Sequence, residues 1–262
     1  MKLNLVPARQ GVAWVKQGVH NFRRQPLALM GLFFMFMAAI SVVTLVPVLG
    51  SALALGLLPA ATLGLMAAAR EAELGRFPMP SVLASAFRAG RERLNAMLVL
   101  GGLYALGFLL IMGLSALMDG GTFAKLYLVG GKMTAEMVES PDFQSAMWLS
   151  TLLYLPFSLA FWHAPGLVHW HGISPVKSLF FSLVACWRNK GAMLVYGLTW
   201  VAVFALVGTV VTTLAALLGG ADLVGTLILP TAMVMAAMFF ASVYASFRDS
   251  FLFDDEPGPA AP

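Results

Sequence analysis

Residues 175–218 read PVKSLFFSLVACWRNKGAMLVYGLTWVAVFALVGTVVTTLAALL. Three parts follow one another. Val176, Leu179, Phe180, Leu183, Val184 and Trp187 recur at the i, i+3, i+4, i+7, i+8, i+11 spacing of one helix face, while Lys177, Ser178 and Ser182 face away. A basic knot, Arg188-Asn189-Lys190, comes next. From Ala192 to Leu218 there is no charged residue, a run longer than the roughly 20 residues that cross a bilayer's hydrocarbon core. An amphipathic segment, a cationic knot and an apolar span form the unit from which the fold is read.

The same order recurs twice upstream. Residues 8–24 place Val12, Val15, Val19 and Phe22 on one stripe, with Arg9, Lys16, Gln17, His20, Arg23 and Arg24 mostly elsewhere. That pattern suits a helix in the headgroup layer, apolar side down and cations near anionic lipid. Residues 81–94 follow the Phe77-Pro78-Met79-Pro80 break, with Leu83, Ala86, Phe87 and Leu94 on the apolar side and Arg88, Arg91 and Arg93 on the other. The knots are Phe22-Arg23-Arg24-Gln25-Pro26, Arg91-Glu92-Arg93-Leu94-Asn95 and Trp187-Arg188-Asn189-Lys190-Gly191. Each return span carries a Leu-Pro pair: Leu58-Pro59, Leu155-Pro156 and Leu229-Pro230.

The expected fold is therefore all-α. It is a polytopic membrane protein with transmembrane helices near 27–46, 52–69, 96–118, 146–168, 192–218 and 223–245. These six spans group into three pseudo-repeats of amphipathic helix plus helical hairpin, about 8–69, 80–168 and 175–247. Residues 1–253 are expected to form a single membrane domain, and 254–262 a disordered cytoplasmic tail rich in Pro, Gly and acids. Gly56, Ala60, Gly64 and Ala68 recur every fourth residue and give the second span a small-residue face that lets a neighbouring backbone approach. Residues 119–144 form the one sizeable polar segment on the far side, with a short helix expected before Pro141.

Composition agrees with this class. Hydrophobic residues make up 60% of the chain and charged residues 11%, against about 45–50% and about 25% in soluble domains. Lys and Arg exceed Asp and Glu by 16 to 12, but the cations sit beside apolar runs, so nucleic acid is not the expected partner. With six spans, all cations except Lys125 and Lys132 fall on the side of both termini, which the positive-inside rule places in the cytoplasm. The polar, basic residues 1–26 and the length of the first apolar run do not fit a cleavable signal. Arg23-Arg24 reads as an orientation signal rather than a twin-arginine export motif.

Chemistry-bearing motifs are sparse. The spans as drawn hold no Asp, Glu, Lys or Arg, which disfavours an ion-coupled transporter. Thr199, Thr209, Thr212 and Thr213 offer hydroxyls to a pathway but are expected to bond to their own helix. His163, His169 and His171 offer three imidazoles to a zinc ion, yet the two-residue spacing of the last pair turns them to different sides, and interfacial anchoring is the simpler reading. The single cysteine, Cys186, excludes an internal disulfide. Pro59, Pro156 and Pro230 act as kinks that shape packing or as hinges. No phosphate-cradling glycine loop, metalloprotease helix or nucleophile elbow is present. No catalytic, cofactor-binding or metal-binding residue is expected, and no cofactor.

The opening PARQGVAWVKQGVHNFRRQPLALM, the APGLVHWHG segment and SPVKSLFFSLVACWRNKGAMLVY resemble an uncharacterised family of proteobacterial six-span inner-membrane proteins. The resemblance covers nearly the whole chain, and ACWRNKGA is its most specific part. More remotely, the helix-then-span pattern is similar to the membrane domains attached to some glycerophosphodiester phosphodiesterases, without the phosphodiesterase domain. The resemblance implies a multi-pass protein of the bacterial inner membrane and carries over no catalytic residue.

The functional expectation is a non-enzymatic membrane protein that organises lipid or a protein partner of unknown identity. Its basic cytoplasmic collar is made by Arg23, Arg24, Arg91, Arg93, Arg188 and Lys190, placed to contact anionic headgroups or a partner. The alternative is a permease, or a lipid or small-solute pathway between the repeats. A membrane-embedded enzyme built on the histidines is a distant third.

Overall fold

A computed structural model describes residues 1–47 and 49–252, so the tail expected at 254–262 lies outside the described residues. The described chain is almost entirely helical. Its helices are α1 (Gln10–Arg24), α2 (Pro26–Thr44), α3 (Gly50–Glu73), α4 (Ser85–Arg88), α5 (Arg91–Asp119), α6 (Thr122–Val129), α7 (Ala135–Glu139), α8 (Pro141–Trp162), α9 (Ala164–His171), α10 (Pro175–Arg188) and α11 (Lys190–Ser250). Two short strands, β1 (Lys2–Leu3) and β2 (Phe251–Leu252), pair antiparallel with Lys2 opposite Leu252. Among the described residues, five helical stretches are long and apolar enough to cross a membrane: Pro26–Thr44, Gly50–Glu73, Arg91–Asp119, Pro141–His171 and Lys190–Ser250.

The last of these is 61 residues long. At 1.5 Å per residue an unbroken helix would reach about 90 Å, three times a bilayer core of about 30 Å. The backbone breaks at Gly220, where φ is 67° and ψ −159°, a conformation open to glycine and few others. The halves on either side run antiparallel. Tyr196 Oη lies 2.6 Å from Ser242 Oγ, and the Trp200 and Phe239 rings are 5.7 Å apart, both pairs being centred on the Gly219-Gly220 step.

The chain forms two compact units. The first contains Met1–Phe36, Thr62–Ser85 and the described part of Val184–Pro262. Here α1 packs along α11, and glycines set the approach: a Cβ on Gly11 would fall 2.3 Å from the Ala192 carbonyl, and one on Gly18 2.4 Å from the Ser242 Cβ. The buried face of α1 is Gly11, Trp14, Val15, Gly18, Asn21 and Phe22. The apolar side of this helix is thus turned onto protein rather than into the headgroup layer. In the same unit, Gly64 of α3 admits the Leu83 backbone, and Phe33 stacks obliquely on Phe240 at 5.6 Å.

The second unit contains Met37–Ala61 and Ala86–Leu183. Its core is the α5–α8 pair, with α6, α7 and α9 packed around it. Aromatic rings interleave there, Tyr104 meeting Phe161 at 5.0 Å and Phe157 meeting Phe161 at 4.8 Å. Gly101 of α5 lies against Gly56 of α3, close enough that a Cβ on Gly101 would sit 2.1 Å from the Gly56 carbonyl oxygen. This is the close approach expected of the small-residue face.

Two local expectations change. The segment at 81–94 is not one amphipathic helix: a 3₁₀ turn at Pro80–Ala84 leads into the single turn of α4, and Gly90 at φ 92° separates it from α5. The positive φ stops the helix, so Arg91 and Arg93 open α5 instead of closing the segment before it. The polar segment after α5 holds α6 as well as the expected short helix α7. Asp119 accepts from the Gly121 and Phe123 amides and so starts α6, while Thr134 Oγ1 accepts from the Met137 amide at the start of α7.

Candidate functional site

A polar clamp closes the first unit. Asp249, at the end of α11 and 6% exposed, accepts three side-chain donors. Gln10 Nε2 and Trp14 Nε1 of α1 donate to Oδ2 at 2.7 and 2.9 Å, and Arg248 Nε donates to Oδ1 at 2.8 Å. Arg248 also pairs with Glu73 at the end of α3, whose backbone carbonyl accepts from Arg24 Nη1 at 3.3 Å. The N-terminal segment is tied into the same place. Asn4 Nδ2 donates to the Asp249 carbonyl at 2.7 Å, and Asn189 grips both sides of the strand's exit, accepting from the Val6 amide at 3.0 Å and donating to the Asn4 carbonyl at 2.9 Å. A carboxylate whose oxygens already accept three donors acts as a fastening.

Outside this clamp α1 presents cations. Ala13, Lys16, His20, Arg23 and Arg24 are its exposed positions, with Arg9 just ahead of the helix, and from Arg9 to Arg23 they recur three or four apart along one ridge. Arg23 and Arg24 end the helix, where the macrodipole favours positive charge. One residue later, Pro26 starts an apolar helix.

The second basic pair opens α5. Arg91 is exposed; Arg93 is half-buried, its Nη2 3.5 Å from where a Cβ on Gly172 would stand at the end of α9. The third pair flanks Asn189, and both Arg188 and Lys190 are exposed. Lys190 Nζ lies 5.6 Å from the centre of the Trp187 ring, within cation–π range. Each pair is thus a local cluster at the start of a long apolar helix. In the third knot the middle residue, Asn189, does the fastening and the flanking cations stay on the surface.

α10 packs on protein through its small, polar side. Its buried ridge is Ser178, Ser182 and Ala185, each 0% exposed, with Cys186 beside them. Ser182 Oγ accepts from the His163 amide at 2.9 Å and donates to the Leu159 carbonyl at 2.8 Å. Val176, Phe180 and Trp187 are 69%, 62% and 66% exposed. The physical reason is the surrounding solvent: in a bilayer an apolar face gains nothing by turning inward, while small residues and hydroxyls allow close helix contact.

The remaining candidates are dispersed. Thr199 and Thr212 bond to the carbonyls of Val195 and Gly208 in their own helix, as expected. His163 is fully buried where α8 meets α9, whereas His169 and His171 are partly exposed on α9. Among the described residues no group of three His, Cys, Asp or Glu side chains is placed to hold a metal. In the second unit, a pocket of about 170 Å³ lies between Ile40, Leu55, Leu58, Phe108 and Tyr127, and a polar one of about 300 Å³ lies beside Asp119, Glu136 and Asp142. Sequence reasoning missed the Trp14–Gln10–Asp249 meeting; its one local signal is an acid next to Arg248 at the foot of an apolar run.

The comparisons fit a helical membrane protein. No family model matches the chain, so the remoter likeness to phosphodiesterase-attached membrane domains rests on the sequence pattern alone. No solved structure matches it. A Burkholderia thailandensis protein, named probable inner membrane protein BTH_II0599, is 40% identical over 265 residues, a match covering 100% of this chain and 98% of that protein. An identity of this size over both full lengths places the chain in one family with the Burkholderia thailandensis probable inner membrane protein.

Proposed function

We propose that the protein is a non-enzymatic, six-span inner-membrane protein with both ends in the cytoplasm, whose basic helix-to-span junctions hold anionic lipid headgroups. Six spans follow from reading the antiparallel halves of α11 as two crossings. Three pseudo-repeats draw support from Pro59, Pro156 and Pro230, which all lie inside helices, and from the short breaks at Gln25, Gly90 and Asn189 ahead of α2, α5 and α11. The charge asymmetry supports the orientation, with Lys125 and Lys132 the only cations assigned to the far side.

The observation that carries the headgroup reading is the cationic ridge of α1. Its apolar side is occupied by α11, so the exposed Arg9, Lys16, Arg23 and Arg24 are the surface it offers beside the start of α2. Each Lys or Arg near an anionic leaflet adds about 1 kcal/mol of attraction. Arg91, Arg93, Arg188 and Lys190 occupy equivalent junctions.

The alternative, a solute or lipid pathway, draws on the 170 Å³ pocket of the second unit. Against it stand the contact of Gly56 with Gly101 and the threonines bonded to their own helices.

The test is mass spectrometry of what co-purifies in native nanodiscs, comparing wild type with a variant carrying glutamine at Arg23, Arg24, Arg91, Arg93, Arg188 and Lys190. Selective loss of an anionic lipid in the variant is the expected result. Unchanged lipid with the orientation intact would overturn the headgroup reading. Loss of one co-purifying protein instead would assign the collar to a protein partner.

A further inference from the structure

α10 carries two ridges of identical spacing. Ser178, Ser182, Ala185 and the following Asn189 form one, and Val176, Phe180, Leu183 and Trp187 the other. Both run i, i+4, i+7, i+11, offset by two residues, which is about 200° around a helix. The small, polar ridge is buried and hydrogen-bonded to protein through Ser182 and Asn189; the bulky, apolar one is exposed apart from a half-buried Leu183.

We propose that the outward ridge of α10 is a bilayer-insertion surface. Val176, Phe180, Leu183 and Trp187 enter the acyl region of the adjacent leaflet while Lys177, Arg188 and Lys190 stay at headgroup level. Three observations choose lipid as the occupant. A single residue, Asn189, separates α10 from Lys190, the first residue of an apolar spanning helix, so the C-terminal end of α10 sits at the depth where a span begins. The ridge ends in a tryptophan whose ring lies under the Lys190 ammonium, an arrangement that suits a headgroup boundary. Charged side chains stand at both ends of the ridge, Lys177 at one and Arg188 and Lys190 at the other, as on a helix lying along an interface with its ends at headgroup level.

α1 and α10 thus meet lipid in different ways. α1 offers charge alone, whereas α10 wedges side chains between lipids. Because the serine ridge fixes α10 to protein, the wedge cannot rotate away, and the leaflet must accommodate it. The inference rests on the membrane reading of the junctions but not on the sign of the lipid charge.

Depth-dependent quenching tests it. Val176→Cys, Phe180→Cys and Lys16→Cys are each made in a Cys186→Ala background, labelled with an environment-sensitive fluorophore and placed in full-length protein in nanodiscs. One set of discs contains phosphatidylethanolamine and phosphatidylglycerol, the other phosphatidylcholine alone. Spin-labelled acyl chains are expected to quench positions 176 and 180 more than spin-labelled headgroups do, in both sets, and to spare position 16. Quenching at 176 and 180 by aqueous iodide but not by labelled chains would overturn the insertion. Energy transfer between differently labelled copies that persists on dilution would assign the ridge to a second copy instead. Charge neutralisation that abolishes anionic-lipid retention while leaving acyl quenching intact separates this inference from the headgroup reading. Monodispersity of each variant checks folding; both ridge sites are exposed, so labels there displace no packed side chain.

Discussion

Trp14 Nε1 and Asp249 Oδ2 lie 2.9 Å apart although 235 residues separate them in the chain. That bond fastens the first helix to the end of the last. Asp249→Ala removes the acceptor of Gln10, Trp14 and Arg248 together and is expected to cost about 1–3 kcal/mol, since the buried donors lose their partner while Arg248 keeps Glu73. Asp249→Asn keeps one carbonyl oxygen for Gln10 and Trp14 but turns an amide toward Arg248, and should fall between. Thermal unfolding in detergent orders the three proteins; limited proteolysis should cut before Gln10 first in the alanine variant.

Gly56 and Gly101 face one another but differ in tolerance. A Cβ on Gly101 would stand 2.1 Å from the Gly56 carbonyl oxygen, whereas one on Gly56 would meet the Gly101 carbonyl oxygen at 3.7 Å. Gly101→Ala is therefore expected to destabilise by about 1–3 kcal/mol, and Gly56→Ala to change stability little. The loss of monodisperse protein with temperature, measured by fluorescence-detected size exclusion, distinguishes them. Gly102→Ala, with open space around it, is the control.

α1 should respond to bulk in the same way. Gly18→Val would drive a side chain into Ser242 and the Met238 carbonyl. The expected result is displacement of α1 from α11, seen as lost cysteine cross-linking between Trp14 and Tyr196 replaced in pairs, whose rings lie 5.9 Å apart. Ala13→Val, on the exposed ridge, should leave that cross-link intact.

Ser182 gives a test of the buried ridge of α10. Ser182→Ala removes an acceptor from the His163 amide and a donor from the Leu159 carbonyl, at an expected cost of about 1–3 kcal/mol. Hydrogen exchange at the His163 amide should accelerate in this variant and not in Ser178→Ala, whose hydroxyl bonds within its own turn to Pro175.

The apolar helices were legible because length and hydropathy report on them directly, residue by residue. The buried ridge of α10 was not. Periodicity finds the stripe of Val176, Phe180 and Trp187, but it does not show that Ser178, Ser182 and Ala185 on the opposite side will be buried against protein. α6 escaped notice because its eight residues lie between glycines that look like loop, and the capping carboxylate of Asp119 only declares itself once the turn is formed. The basic pairs were legible as charges. The clamp was not, because Gln10, Trp14, Asn189 and Asp249 become neighbours only after the chain has closed on itself.

The glycine break at residue 220 bears on biogenesis. A turn this short leaves no slack for one half of α11 to cross a bilayer while the other waits in water. On the proposed topology the two halves enter as a single hairpin, carrying Asp222 across with them at about 2.5–3.5 kcal/mol on insertion scales. Tyr196, Trp200 and Ser242 can then meet while the hairpin is still leaving the insertion machinery. This last quarter of the chain would be assembled before its docking partner, α1, made far earlier, is called to close upon it.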